Sequence, residues 1–197
     1  MIWPFRPQPP IPLSPKVHYE RTFRSIAQWL GRSRIDPNHT IILPNDIDEL
    51  LADSSTEQWP HRLFHFFRAR MPGSAEELQF GWRADDEQPA ESTSALFEFT
   101  TTDDGNVSGG HFDRSLAEFP YRLGAVAAVA AAAHFRDSAP EEFPSATATC
   151  EVLPVLFGLG PLMANAALHE FEEQSNIAQT AKSRRNSAVS ALEYGYC

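Results

Sequence analysis

Between Gly124 and Ala133 the chain reads Gly-Ala-Val-Ala-Ala-Val-Ala-Ala-Ala-Ala, and little but a helix can be made of it. Alanine has the highest helix propensity of any residue, because its side chain has no rotamer entropy to lose. No position in the run is charged or hydroxylated, so no face of that helix prefers water. A helix that is apolar all round belongs inside a core. Its side chains are so short that neighbouring backbones can come close on every side. The predicted helix runs over Ser115–Arg136 and is entered near Pro120.

The rest of the chain supplies what would surround it. Apolar residues at Val17, Phe23, Ile26, Ala27 and Leu30 fall at helical spacing over Lys16–Leu30, and Gly31 ends that helix. His39–Leu43 is a short β-branched run stopped by Pro44 and reads as a buried strand. Asn45–Ser55 reads as an acidic loop or short helical turn. A second helix is predicted over Thr56–Met71, with Thr56 as its cap and Leu63, Phe64, Phe67 and Met71 as its apolar stripe. Pro72-Gly73 stops it. Glu77–Trp82 and Ala95–Thr101 alternate as strands. Asp103-Asp104-Gly105-Asn106 is a turn into a short, glycine-weakened strand over Val107–Phe112. Ala146 to about Ser175 reads as a fourth helix, kinked or split by Pro154 and Pro161. The order mixes both element types, so the expected class is α+β: a small sheet packed by helices, with two central core helices. Residues 1–15 hold six prolines and form a proline-rich arm, leaving 16–197 as one domain.

Composition excludes several functions. Sixteen Lys and Arg against 26 Asp and Glu give a formal net charge of −10. Such a chain is a poor match for phosphate backbones, so no nucleic-acid partner is expected. Cys150 and Cys197 alone are too few for a disulfide framework or a four-cysteine zinc site. Leu123–Ala133 is too short to span a bilayer, and Val152–Leu168 is interrupted by Pro, Gly and Asn, so no membrane span is expected. The N-terminus lacks a secretory signal, and a cytoplasmic location is the expectation. No nucleophile elbow, phosphate-binding loop or dinucleotide fingerprint occurs.

Several words in the chain resemble a small bacterial family of zincin-like metallopeptidases. These are Trp3-Pro4-Phe5-Arg6 before the prolines, Lys16-Val17-His18-Tyr19-Glu20-Arg21, Ile42-Leu43-Pro44 and Arg62-Leu63-Phe64. The most specific is Val152-Leu153-Pro154-Val155-Leu156-Phe157-Gly158-Leu159-Gly160-Pro161-Leu162-Met163-Ala164-Asn165-Ala166. The resemblance implies a zincin-like fold. It also implies that the alanine helix stands where the family carries His-Glu-x-x-His. That motif sets two zinc ligands on one helix face and a general base between them. Counted from Pro120, those positions are Val129-Ala130-Ala131-Ala132-Ala133, with no ligand type among them. The slot of the family's third, acidic ligand falls at Glu151. The family also runs on past a word matched by Glu193-Tyr194-Gly195-Tyr196, so a missing final helix is expected.

The resemblance therefore implies a pseudo-metallopeptidase without metal or catalytic residues, serving as a protein- or peptide-binding module. Its relict-pocket candidates are Glu151, Asn165, His169 and His134. Glu151, Val155, Gly158, Leu162, Asn165 and His169 would share one stripe if the late helix were continuous. One alternative is a metal-dependent hydrolase whose zinc site has moved to His134, Glu151 and the loop acids Glu141 and Glu142. Another is a structural interaction protein acting through the proline-rich arm or a C-terminal surface. His134, at a helix end, is expected to serve the helix dipole at the surface. His61 and His65 have metal-ligand spacing but lack the motif's glutamate, and are expected to be surface histidines. Cys150 is expected to be a buried, inert thiol.

Overall fold

The structure is a computed structural model, and it describes residues 13–31, 41–72, 78–84, 96–137, 139 and 149–167. The proline-rich arm up to residue 12, the Ala146 start of the fourth helix and everything after residue 167 lie outside the described residues.

The described chain is α+β. Helix α1 (Leu13–Leu30) is followed by α2 (Pro44–Leu51), a 3-10 turn (Thr56–Gln58) and α3 (Trp59–Arg68). Strands β1 (Gln79–Trp82), β2 (Phe97–Thr101) and β3 (Val107–Phe112) come next. A second 3-10 turn (Arg114–Glu118) leads to α4 (Pro120–Asp137) and α5 (Thr149–Pro154). A π-type turn (Val155–Leu159) then leads to a further helix, α6, over residues 160–167.

The alanine run sits at the centre. In α4, Ala127, Ala128, Ala130, Ala131 and Ala132 have no exposed surface, and the helix packs against α2, α3 and α5. Gly124 takes this to its limit: a Cβ there would lie 3.2 Å from Cδ1 of Ile47 on α2. Helix α3 joins two layers. One is α4, and the other is β1, where Phe64 stacks on Phe80 with ring centroids 3.8 Å apart. The layer order is therefore sheet, α3, α4, α5, with α1 packed on α5.

The sheet is mixed and has the order β1-β3-β2. Strand β3 lies in the middle, parallel to β1 (Gln79↔Gly109, Phe80↔Gly110) and antiparallel to β2. The predicted turn joins β2 to β3, with Gly105 at φ 79° and Thr102 N–H donating to Asn106 O at 2.8 Å. The glycines of β3 are a condition of its central place and not a weakness. A Cβ on Gly109 would stand 2.0 Å from the carbonyl oxygen of Gln79, and one on Gly110 would stand 2.6 Å from that of Glu98.

Five expectations need correcting. First, Ile41–Leu43 is not a strand. The segment is extended, yet its Ile42 N–H donates to Gly158 O at 3.0 Å, which is a helix break and not a sheet. The alternation survives without the ladder: Ile42 is 5% exposed, while Ile41 is 59% and Leu43 49% exposed. Second, α2 is a true helix. Pro44 starts it and Asp46 accepts the Leu43 N–H at 2.8 Å, so proline and acid act as start signals. Third, α1 begins at Leu13, inside the span assigned to the arm, because Pro15 falls in the first turn where its missing N–H costs nothing. Fourth, Thr56 lies within the 3-10 turn and does not cap α3; its carbonyl accepts from Trp82 Nε1 at 3.0 Å.

Fifth, the late helix is broken at neither proline. Pro154 closes α5, and Pro161 sits in the first turn of α6. The break is at Phe157 (φ −101°, ψ 21°) and Gly158 (φ 82°, ψ 13°). Proline removes a donor and widens the helix locally. The reversal it forces is taken by the nearby residue that enters left-handed space without a Cβ clash.

Candidate functional site

Positions 129–133 of α4 are largely closed off by packing. Ala130, Ala131 and Ala132 are fully buried, and only Val129 is half-exposed. Among the described residues no group of three or more His, Cys, Asp or Glu is placed to hold a metal ion.

The relict-pocket candidates are only partly within the described residues. Glu151 lies on α5, with its side chain outside the described residues. Asn165 lies on α6 and is half-buried. His169, Glu141 and Glu142 lie outside the described residues. The reversal at Gly158 resets the helical phase between α5 and α6. The helix is therefore not continuous from Glu151 to Asn165, and steps of three and four cannot be counted across the break.

His134 is not at the surface. It is 7% exposed in the last turn of α4, and its partner is Arg68 in the last turn of α3, itself 3% exposed. Arg68 Nε donates to His134 Nδ1 at 3.2 Å, and Arg68 Nη1 donates to the carbonyl of Pro72 at 3.1 Å. The guanidinium lies over Phe135, 5.6 Å from its centroid, and the His134 ring meets Phe64 edge-on at 6.0 Å. Because arginine only donates, Nδ1 must carry a lone pair, so His134 is neutral with its proton on Nε2. That lone pair is in use and a cation stands beside it. Both facts oppose metal ligation by His134 through Nδ1. A sign of this pair was present in the sequence: Arg68 falls four residues after Phe64 and beside Phe67, on the apolar stripe of α3.

His61 and His65 are also not free surface groups. Both are half-buried, with ring centroids 4.3 Å apart. His65 Nε2 lies 2.8 Å from the carbonyl of Leu78, which only accepts, so Nε2 carries the proton. His61 Nδ1 is buried and has no hydrogen-bond partner among the described residues. Burial, helped by the neighbouring His65, holds the His61 pKa below its ordinary 6.5 and favours the neutral ring.

Cys150 is a buried free thiol, as expected. Arg83, buried at the end of β1, reaches Asp113 at 3.6 Å and Glu98 at 3.9 Å and ties that end of the sheet together. No described helix is long and apolar enough to cross a membrane. No family model matches the chain, and neither a curated protein nor a solved structure does.

Proposed function

We propose that this chain is a non-catalytic, zincin-like binding protein that takes a protein or peptide partner. The observation that carries the reading is the packing of α4. Where a zincin-like metallopeptidase needs two imidazoles and a carboxylate facing water, this helix has alanines sealed against its neighbours. Val129 to Ala133 offer a metal no ligand and water no general base. The binding surface assigned to this function is the extended segment at residues 41–43. Ile41 and Leu43 project from it, while Ile42 anchors it through the core and through Gly158. Paired exposed apolar side chains on a tethered backbone suit contact with a partner better than contact with water.

Two measurements test the reading. Incubation with a mixed peptide library, with and without added zinc, is expected to yield no new termini by mass spectrometry. Chelator-sensitive cleavage that is lost in Glu151→Ala would overturn it. A photocrosslinking residue at position 41 is expected to capture a partner that one at position 104 does not. That capture should fail when Leu43→Asp is added, with the melting temperature unchanged. Equal capture from both positions would refute the surface.

A further inference from the structure

The sequence pattern His61-Arg62-Leu63-Phe64-His65 places two imidazoles one turn apart, and the fold gives that pair three properties that spacing alone does not. The rings lie close together and tilted, with centroids 4.3 Å apart and an interplanar angle of 55°. The partner ring is held in place: His65 Nε2 donates to Leu78 O at 2.8 Å, just ahead of β1, and the ring lies edge-on to both Phe64 and Phe80. The Leu78 bond leaves Nδ1 as the lone-pair nitrogen of neutral His65. His61 Nδ1 spends no hydrogen bond on the described residues.

We infer that His61 and His65 form a two-histidine chelate for a late first-row divalent cation of the Ni2+, Cu2+ or Zn2+ type, completed by water. Imidazole is the ligand these ions share. A histidine that ligates with one nitrogen typically donates from the other to a carbonyl or carboxylate, which fixes its tautomer; the Leu78 carbonyl already does this for His65. His61 needs one adjustment. Its ring turns about the Cβ–Cγ bond, a broad two-fold torsion, to bring a lone pair to the ion that His65 holds. The suppressed basicity of His61 helps, because a proton competes for the same lone pair. Two ligands make a site of moderate affinity on α3 beside β1. It does not depend on the zincin-like reading.

Titration calorimetry of the full chain with NiCl2 alone, and separately with ZnCl2, tests this at neutral pH. One equivalent is expected to bind. His61→Ala is expected to weaken binding about tenfold or more, since even outer-shell losses cost about 10–100-fold. Glu151→Ala should bind as tightly as the parent. Affinity unchanged in His61→Ala, with the far-ultraviolet spectrum intact, would overturn the site. A second readout needs no substitution: Ni2+ is expected to broaden the ring-proton NMR signals of His61 and His65 before those of His111. Equal broadening of all three would also overturn it.

Discussion

Arg68 and His134 meet from the ends of two helices that are 66 positions apart in the chain. The buried guanidinium has its charge spread over Phe135 and its donors directed at Pro72 O and His134 Nδ1. Truncating it leaves a carbonyl and an imidazole nitrogen short of a donor in a dry place. Arg68→Ala is therefore expected to destabilise the fold by about 2–3 kcal/mol in urea unfolding. His61 yields a pH dependence. Its folded pKa is lowered below 6.5, so in the window beneath 6.5 the unfolded chain holds more protons than the folded one. Stability should fall as pH drops from 7.5 through that window, and level off below the folded pKa. In His61→Ala the fall should be shallower when urea midpoints are compared at pH 7.5 and 5.5.

At the scale of elements, two glycines hold positions that no other residue fills. Gly109→Ala would drive a methyl into the Gln79 carbonyl and part β3 from β1, at a cost of about 3 kcal/mol. Gly158→Ala must hold φ near 82°, which costs about 1–2 kcal/mol. Thermal melts of the two variants should therefore rank Gly109→Ala as the more damaging. Three of the helices and all three strands were legible, while α2 was not. The apolar stripe of α3 and the alanine run of α4 follow from local pattern, and so does the turn at Gly105. The segment at Ile41–Leu43 was not legible, because a strand needs a neighbour and local sequence shows only that a segment suits one. The break at Gly158 was misplaced for a related reason. Two prolines marked the region as strained, but which residue absorbed the strain depended on what the backbone could rotate against.

At the scale of the molecule, α4 is shared by the packing of α2, α3 and α5, and α3 is shared by α4 and the sheet. Helical and sheet layers thus have a common core through Phe64, Phe80 and Phe112. Unfolding is expected to be a single transition. Far-ultraviolet ellipticity and the fluorescence of Trp29, Trp59 and Trp82 should share one midpoint. Separate midpoints would show that sheet and helices do not share a core as closely as this packing implies. The alanine run was enough, by itself, to require a thin, largely buried helix and to leave positions 124–133 without a metal ligand, since both follow from side-chain volume and chemistry. The α+β class followed from periodicity. Tertiary structure alone decided that a buried arginine takes up the lone pair of His134. It alone set the Leu78 carbonyl against His65 and put the helix break at Phe157 and Gly158. Each of these depends on which distant backbone arrives beside a side chain, and local spacing carries no record of that.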